Sequence, residues 1–289
     1  VKGFFNLFFP SFFSSGLLQI NILIGTIIAS YESGAVSYLY YADRIYQLPL
    51  ALVGIALGIA LLPSISKKIK ENLLSEVHSS IEKTIKFALI FSIPASVGLY
   101  FIPDIIVQVL FERGEFNSFA TSETSLALKM FSFGLVAFVL VKILTPVFFA
   151  NENARLPLII SFFNLIINTS LSILLFNNIG FVGIALATSI SAWLNVLILY
   201  IFLSKKKYFN LSRAIVTPLS VIICASAVLG FYLVLANYYY SYYFKELLFY
   251  KLLGISVILL SSMALYFFLI SFYKPFSYNE IKKNFLSND

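Results

Sequence analysis

The chain has 289 residues, of which 60% are hydrophobic, 17% aromatic and only 11% charged. With a mean hydropathy of +0.92, this excludes an ordinary soluble domain, whose charged fraction is about twice as high. A single cysteine, Cys224, excludes an internal disulfide. A single histidine, His78, in a polar connection gives no metal site. The formal charge of +7 raises the question of a nucleic-acid partner, which the distribution of that charge answers below.

Apolar runs bounded by Pro, Gly, Asn and charge clusters divide the chain into eight spans. They lie at about 5–30, 34–62, 84–111, 121–150, 157–176, 181–203, 214–237 and 247–273. The fold class is therefore all-α, a polytopic transmembrane helix bundle. Several runs exceed the roughly 20 residues that cross a bilayer, which implies tilt, kinks at Pro49, Pro94 and Pro146, or ends that project into water. The first residue is Val1, and no charged segment leads into a small-residue cleavage site. The start does not read as a signal peptide, and the chain is expected to lack its natural N-terminal part.

The first span carries Gln19 and Asn21; Asn164 and Asn168 in the fifth and Asn195 in the sixth are similar isolated polar spots. Such groups suit interhelical hydrogen bonds better than ligand binding. The second span is different. Taken by threes and fours, Ser37, Tyr40, Arg44, Gln47, Ala51, Gly54 and Gly58 form one stripe that is polar in its first half and small in its second, with Asp43 beside it. Gly54 and Gly58 have the spacing that lets a neighbouring helix approach closely. Arg44 lies ten residues beyond Gly34, about 15 Å along a helix and so near mid-bilayer. An arginine there costs roughly 2.5–3.5 kcal/mol even on the lenient insertion scale, so it must face a bundle interior or a wet cavity. Neighbouring helix positions diverge by about 100°, so Asp43 and Arg44 are poorly placed to pair with each other, and each is expected to have another partner. Two roles fit: a salt bridge locking helices together, or a substrate or coupling role. A guanidinium presents a planar fork that matches phosphate or carboxylate oxygens and resists neutralisation on burial, which favours an anionic cargo.

After this span comes KKIKENLLSEVHSSIEK, Lys67 to Lys83, with Ile69, Leu73, Leu74, Val77 and Ile81 near helical spacing. It reads either as a short amphipathic helix lying on the membrane or as a solvated connector. LFERGEFN, starting at Leu110, reads as a short outer turn. In the fourth span Lys142 is about 12 Å from the cytoplasmic end, where its stem can either snorkel or line a cavity. Thr145 and Pro146 then interrupt the helix and free backbone groups that a lumen-facing segment could use. YYYSYYF, Tyr238 to Phe244, reads as an interfacial aromatic belt.

Basic residues in the connections fall mainly on one side: Lys2, Lys67, Lys68, Lys70, Lys83, Arg155, Lys205, Lys206, Lys207, Arg213, Lys274, Lys282 and Lys283, against Arg113 and Lys245 on the other. The bias places both termini in the cytoplasm, and explains the net charge as topology, not a nucleic-acid surface. No metal cluster, GxSxG, P-loop or acid/base carboxylate pair is present, so neither an enzyme nor a cofactor is expected.

SYLYYADRIYQLPLALVGIALGIALLPSISK, Ser37 to Lys67, resembles the eighth-helix signature of the MurJ (MviN) lipid II flippases, a branch of the multidrug/oligosaccharidyl-lipid/polysaccharide exporter superfamily. LFERGEFN, then VKILTPVFFANENARLP from Val141 to Pro157, and FVGIALATSISAWLNVLILY from Phe181 to Tyr200 are similar to later motifs of that family, in order. The resemblance implies a fold of fourteen helices in two lobes of six plus two. The spans here would be helices seven to fourteen: residues 1–207 the C-terminal lobe, residues 208–289 the two extra helices that form a lipid-tail groove, with the N-terminal lobe absent. It also implies the function, flipping of lipid II, an undecaprenyl-pyrophosphate-linked peptidoglycan precursor, across the bacterial inner membrane by alternating access. Its partners would be lipid II, membrane lipids and the N-terminal lobe. By the same resemblance Arg44 matches a cavity arginine that would engage pyrophosphate, and Asp43 the aspartate before it. Gln47 stands where some members have Glu, and Lys142 matches a recurrent basic position. Tyr40 joins them as a substrate-binding candidate from the stripe. The alternatives are an exporter of another cargo, a polysaccharide-linked lipid or a drug, and a non-transporting membrane scaffold.

Overall fold

The structure, a computed structural model, describes residues 2–243 and 248–272. Phe244, Lys245, Lys274, Lys282 and Lys283, invoked above for the aromatic belt and the charge bias, lie outside the described residues. Among the described residues the regular structure is entirely helical: α1 (Lys2–Ala29), α2 (Ala35–Pro49), α3 (Ala56–Lys70), α4 (Leu74–Phe101), α5 (Pro103–Phe111), α6 (Ser118–Ala150), α7 (Arg155–Ile179), α8 (Val182–Lys205), α9 (Val216–Tyr243) and α10 (Leu248–Ser271). Seven stretches of the described residues are long and apolar enough to cross a membrane, α2 and α3 counting as one, and the apolar part of α1, Gly16–Ala29, is shorter.

Three expectations about the helices change. The second span does not end near residue 62. Pro49 cannot donate a backbone hydrogen bond, and behind it Leu50–Ile55 forms a π-helical turn that runs without a break into α3. The Lys67–Lys83 segment is no separate surface helix: its first part finishes α3 and its last part begins α4, with a turn at residues 71–73 between them. Val77 and Ile81 are buried while Leu73 and Leu74 are exposed, so the apolar spacing serves packing of α4. The third span breaks at Ile102, because Pro103 starts a new helix where its missing N–H costs nothing.

The long helix α6 is the centre of the bundle, packing against α2, α3, α4, α5 and α8; α7 closes on α8 and carries α1, and α9 lies on α4. Close helix contact in lipid depends on small residues and on hydroxyls that reach a neighbour's backbone. Here Ser189 donates to the Met130 carbonyl (2.6 Å), Ser96 to that of Ser132 (2.5 Å), and Trp193 to that of Phe133 (2.8 Å). Asn168 donates to Asn21 across α7 and α1 (2.9 Å), as expected for isolated amides in spans. At one end, Phe209 is buried beside His78, and Ser212 donates to Glu82 (2.9 Å), gathering the turns that carry most of the lysines. At the other end the Phe181 amide donates to Glu32 (2.8 Å). Gly180 (φ 67°) makes that turn, where a side chain would also strike the Glu32 carboxylate.

Candidate functional site

The face presented by α2 is set by its opposite side. Ala42, Ile45 and Tyr46 are buried, and the Tyr46 ring sits between Phe131 and Phe138 of α6, with centroids 4.9 and 5.2 Å away. Tyr41 packs on Phe111 and Phe116 (4.7 and 5.1 Å). These rings fix the helix's rotation, and Ser37, Tyr40 and Arg44 are left on the open side of the bundle, with Asp43 and Gln47 half-buried.

Tyr40, Asp43, Arg44 and Gln47 form one connected group. The Arg44 guanidinium lies over the Tyr40 ring, 4.6 Å from its centroid, a cation–π contact that orients the fork without neutralising it. Arg44 also donates to the Gln47 side-chain oxygen (3.5 Å), while the Gln47 amide donates to Asp43, which receives the Tyr46 hydroxyl as well. Asp43 and Arg44 do not pair directly, as their angular separation requires; their partners lie on α2 itself, not on another helix. Among the described residues Arg44 makes no ion pair. An arginine that is oriented and exposed, with Asp43 acting on it electrostatically but not bonded to it, can receive an anion.

The continuous stripe from Ser37 to Gly58 does not survive. The π-turn accommodates one extra residue, which sets back everything after it by about 100°. Ile59, 69% exposed, therefore continues the line of Arg44, while Gly54 and Gly58 turn inwards onto α6. Their close-approach role holds: a side chain at Gly54 would press on Val139, and one at Gly58 would collide with the Lys142 carbonyl oxygen. That carbonyl is the one Pro146 leaves without its helical donor. The freed group thus faces Gly58, where only a glycine permits such proximity, and not a lumen. The Lys142 side chain is exposed and makes no ion pair among the described residues. It lies beside Gly58, fourteen residues from Arg44 along the α2–α3 rod, about 20 Å. The structure therefore does not bring Lys142 into the Arg44 group.

A second feature was not legible in the residues. Between α4, α5, α9 and α10 runs an apolar cavity of about 310 Å³, lined among others by Ile90, Pro94, Ile102, Leu229, Leu259 and Met263. Tyr266 of α10 reaches across to the Ile90 carbonyl (2.8 Å, buried).

The sequence matches the family described as Lipid II flippase MurJ over residues 1–274. The chain belongs to that family. A probable lipid II flippase MurJ of Rickettsia prowazekii (strain Madrid E) is 35% identical over 259 residues, 89% of this chain and 51% of the relative. Another, of Rhizobium tropici, is 39% identical over 230 residues, 80% of this chain and 43% of the relative. The chain thus spans about half the length of the curated MurJ relatives it matches. A solved structure described as a lipid II flippase MurJ in an inward closed conformation superposes with a TM-score of 0.75 at 28% identity, covering 92% of this chain and 53% of that one. A MATE transporter in its bent conformation, at 14% identity and TM-score 0.61, covering 96% of this chain and 65% of that one, shares the fold alone. Family and fold together make this a multi-pass helical membrane protein of the MurJ type.

Proposed function

We propose that this chain forms the lobe of a lipid II flippase that carries the cavity arginine, in a protein that moves undecaprenyl-pyrophosphate-linked muropeptide from the cytoplasmic to the periplasmic leaflet of the bacterial inner membrane. The single observation that carries the reading is Arg44: exposed on the open face of α2, oriented over Tyr40, and without an ion-pair partner among the described residues. Arg44 engages the pyrophosphate by charge-assisted hydrogen bonds. Asp43 holds the Gln47 amide, whose oxygen accepts from Arg44, and so orients the guanidinium. Lys142 acts separately, nearer the basic end of the bundle. The process is transport without covalent chemistry, so the chain is not an enzyme.

The remaining architecture follows the same reading. Eight spans leave both termini in the cytoplasm, residues 1–207 form the six-helix lobe, and residues 208–289 the two extra helices. The cavity between α4, α5, α9 and α10 suits the lipid tail, since its lining is apolar while Arg44 lies outside it. Alternating access needs a second lobe facing α2, so this chain alone does not flip substrate. The experiment is Arg44→Ala, with Arg44→Lys beside it, in a protein carrying both lobes, scored by lipid II translocation in liposomes. Loss in the first and partial loss in the second are expected, because a lysine keeps the charge but not the fork. Unchanged translocation by Arg44→Ala rejects the assignment.

A further inference from the structure

The LFERGEF turn takes no part in the polar face of α2, yet Glu112 within it is engaged from three helices. Gln108 of α5 donates to one carboxylate oxygen (3.2 Å), the Thr121 hydroxyl of α6 donates to the other (2.8 Å), and Lys251 of α10 lies 3.8 Å away. The two charged side chains are only 20% and 17% exposed. Tyr240 of α9, itself buried, donates to the Lys251 carbonyl (3.3 Å), so α9 joins the same junction. The ion pair of Lys129 with Asp104 (3.9 Å) joins α6 to α5 and is more exposed.

The placement matters because α10 is thinly supported. It packs on α9 and on α5 and reaches α4 through Tyr266 and Phe267, whereas α9 lies along α4 over its length. The apolar cavity fills the space that results, with Tyr266 crossing it to Ile90 at one level and Lys251 meeting Glu112 at the other. Fifteen residues separate Lys251 from Tyr266, about 22 Å of helix. We infer that Glu112 is a positioning residue that fixes the Tyr240–Lys251 end of the α9–α10 pair and thereby the width of the apolar groove, so that the pair travels with α5 and α6 as one body. A half-buried ion pair suits this task better than an apolar contact, because it admits one register: any slippage leaves a charge unpaired in a dry place. The inference rests on the reading of the groove as a lipid-tail site only for its consequence, not for the anchor itself.

The test separates the two. With Cys224→Ser as background, spin labels at the exposed positions Leu110 on α5 and Leu253 on α10 report the distance across the anchor in nanodiscs. The parent should give a narrow distribution, Glu112→Gln and Glu112→Lys broad ones, and Glu112→Asp or the swap E112K/K251E a narrow one again. A distribution that stays narrow in Glu112→Lys, or that neither Glu112→Asp nor the swap restores, overturns the anchor. Binding of undecaprenyl pyrophosphate to the same samples should weaken about tenfold in Glu112→Gln, because ordering the loosened groove then costs part of the binding free energy. Broadened distances with unchanged binding reject the groove as the tail site while leaving the anchor standing.

Discussion

Pro94 sits inside α4 and has no N–H, so the carbonyl of Ile90, four residues earlier, loses its helical donor. In a hydrocarbon surround such a group needs a replacement, and the Tyr266 hydroxyl of α10 supplies it at 2.8 Å, with Tyr266 2% exposed. Tyr266→Phe keeps the ring and removes only the donor. An unsatisfied buried acceptor costs about 1–3 kcal/mol, and hydrogen bonds between membrane helices average nearer 0.6 kcal/mol, so a loss of about 1 kcal/mol is expected. In a Pro94→Ala background the new amide can pair with Ile90, and Tyr266→Phe should then cost a few tenths of a kcal/mol. Thermal unfolding of the four proteins of this cycle in one detergent measures the coupling, at about 2–4 °C per kcal/mol or somewhat less for a chain this long. Equal costs in both backgrounds would show that Tyr266 does not compensate for the proline.

Three further outcomes follow from the packing. Gly58→Leu should separate α3 from α6 and destabilise the bundle by about 1–3 kcal/mol through overpacking, whereas Gly98→Ala, which meets nothing within 4 Å, should stabilise α4 by about 0.5 kcal/mol; thermal unfolding ranks them. Asn168→Leu strands the Asn21 amide and should cost about 1 kcal/mol, much of it recovered when Asn21→Leu is added, since removing both partners of a bond is milder than removing one. Ser212→Ala should cost under about 1 kcal/mol, because Glu82 keeps its pair with Lys86 (2.7 Å) near the bundle's end; faster hydrogen exchange confined to residues 206–215 is the expected readout.

The helical class and the open face of α2 were legible because both rest on local periodicity. Ala42, Ile45 and Tyr46 alternate with Tyr40, Asp43, Arg44 and Gln47 at helical spacing, and the buried and open sides follow that alternation. The glycines were legible as points of close approach but not in direction, since the π-turn after Pro49 shifts the phase by one residue and no residue type announces such a shift. For Lys67–Lys83 the spacing left open a surface helix and a solvated connector; the structure instead gives the end of α3 and the start of α4, with Val77 and Ile81 buried in the bundle and Leu73 and Leu74 exposed. Glu112 and Lys251 are far apart in the chain, and only the docking of α10 on α5 joins them. For Lys251 the sequence offers a bare signal, one cation early in an apolar run.

The wide turn at Leu50–Ile55 has a consequence for how this protein tolerates change. The α2–α3 rod is a single shaft, yet its two ends answer to different demands, one to the exposure of the Arg44 group and the other to how near α6 may come. Because the shaft is re-timed within six residues, the half with Arg44 keeps its polar side open while the other half keeps its glycines against α6. Deleting one residue from this turn, while leaving every side chain on either side intact, would put the two halves back in step and turn the glycines away from α6.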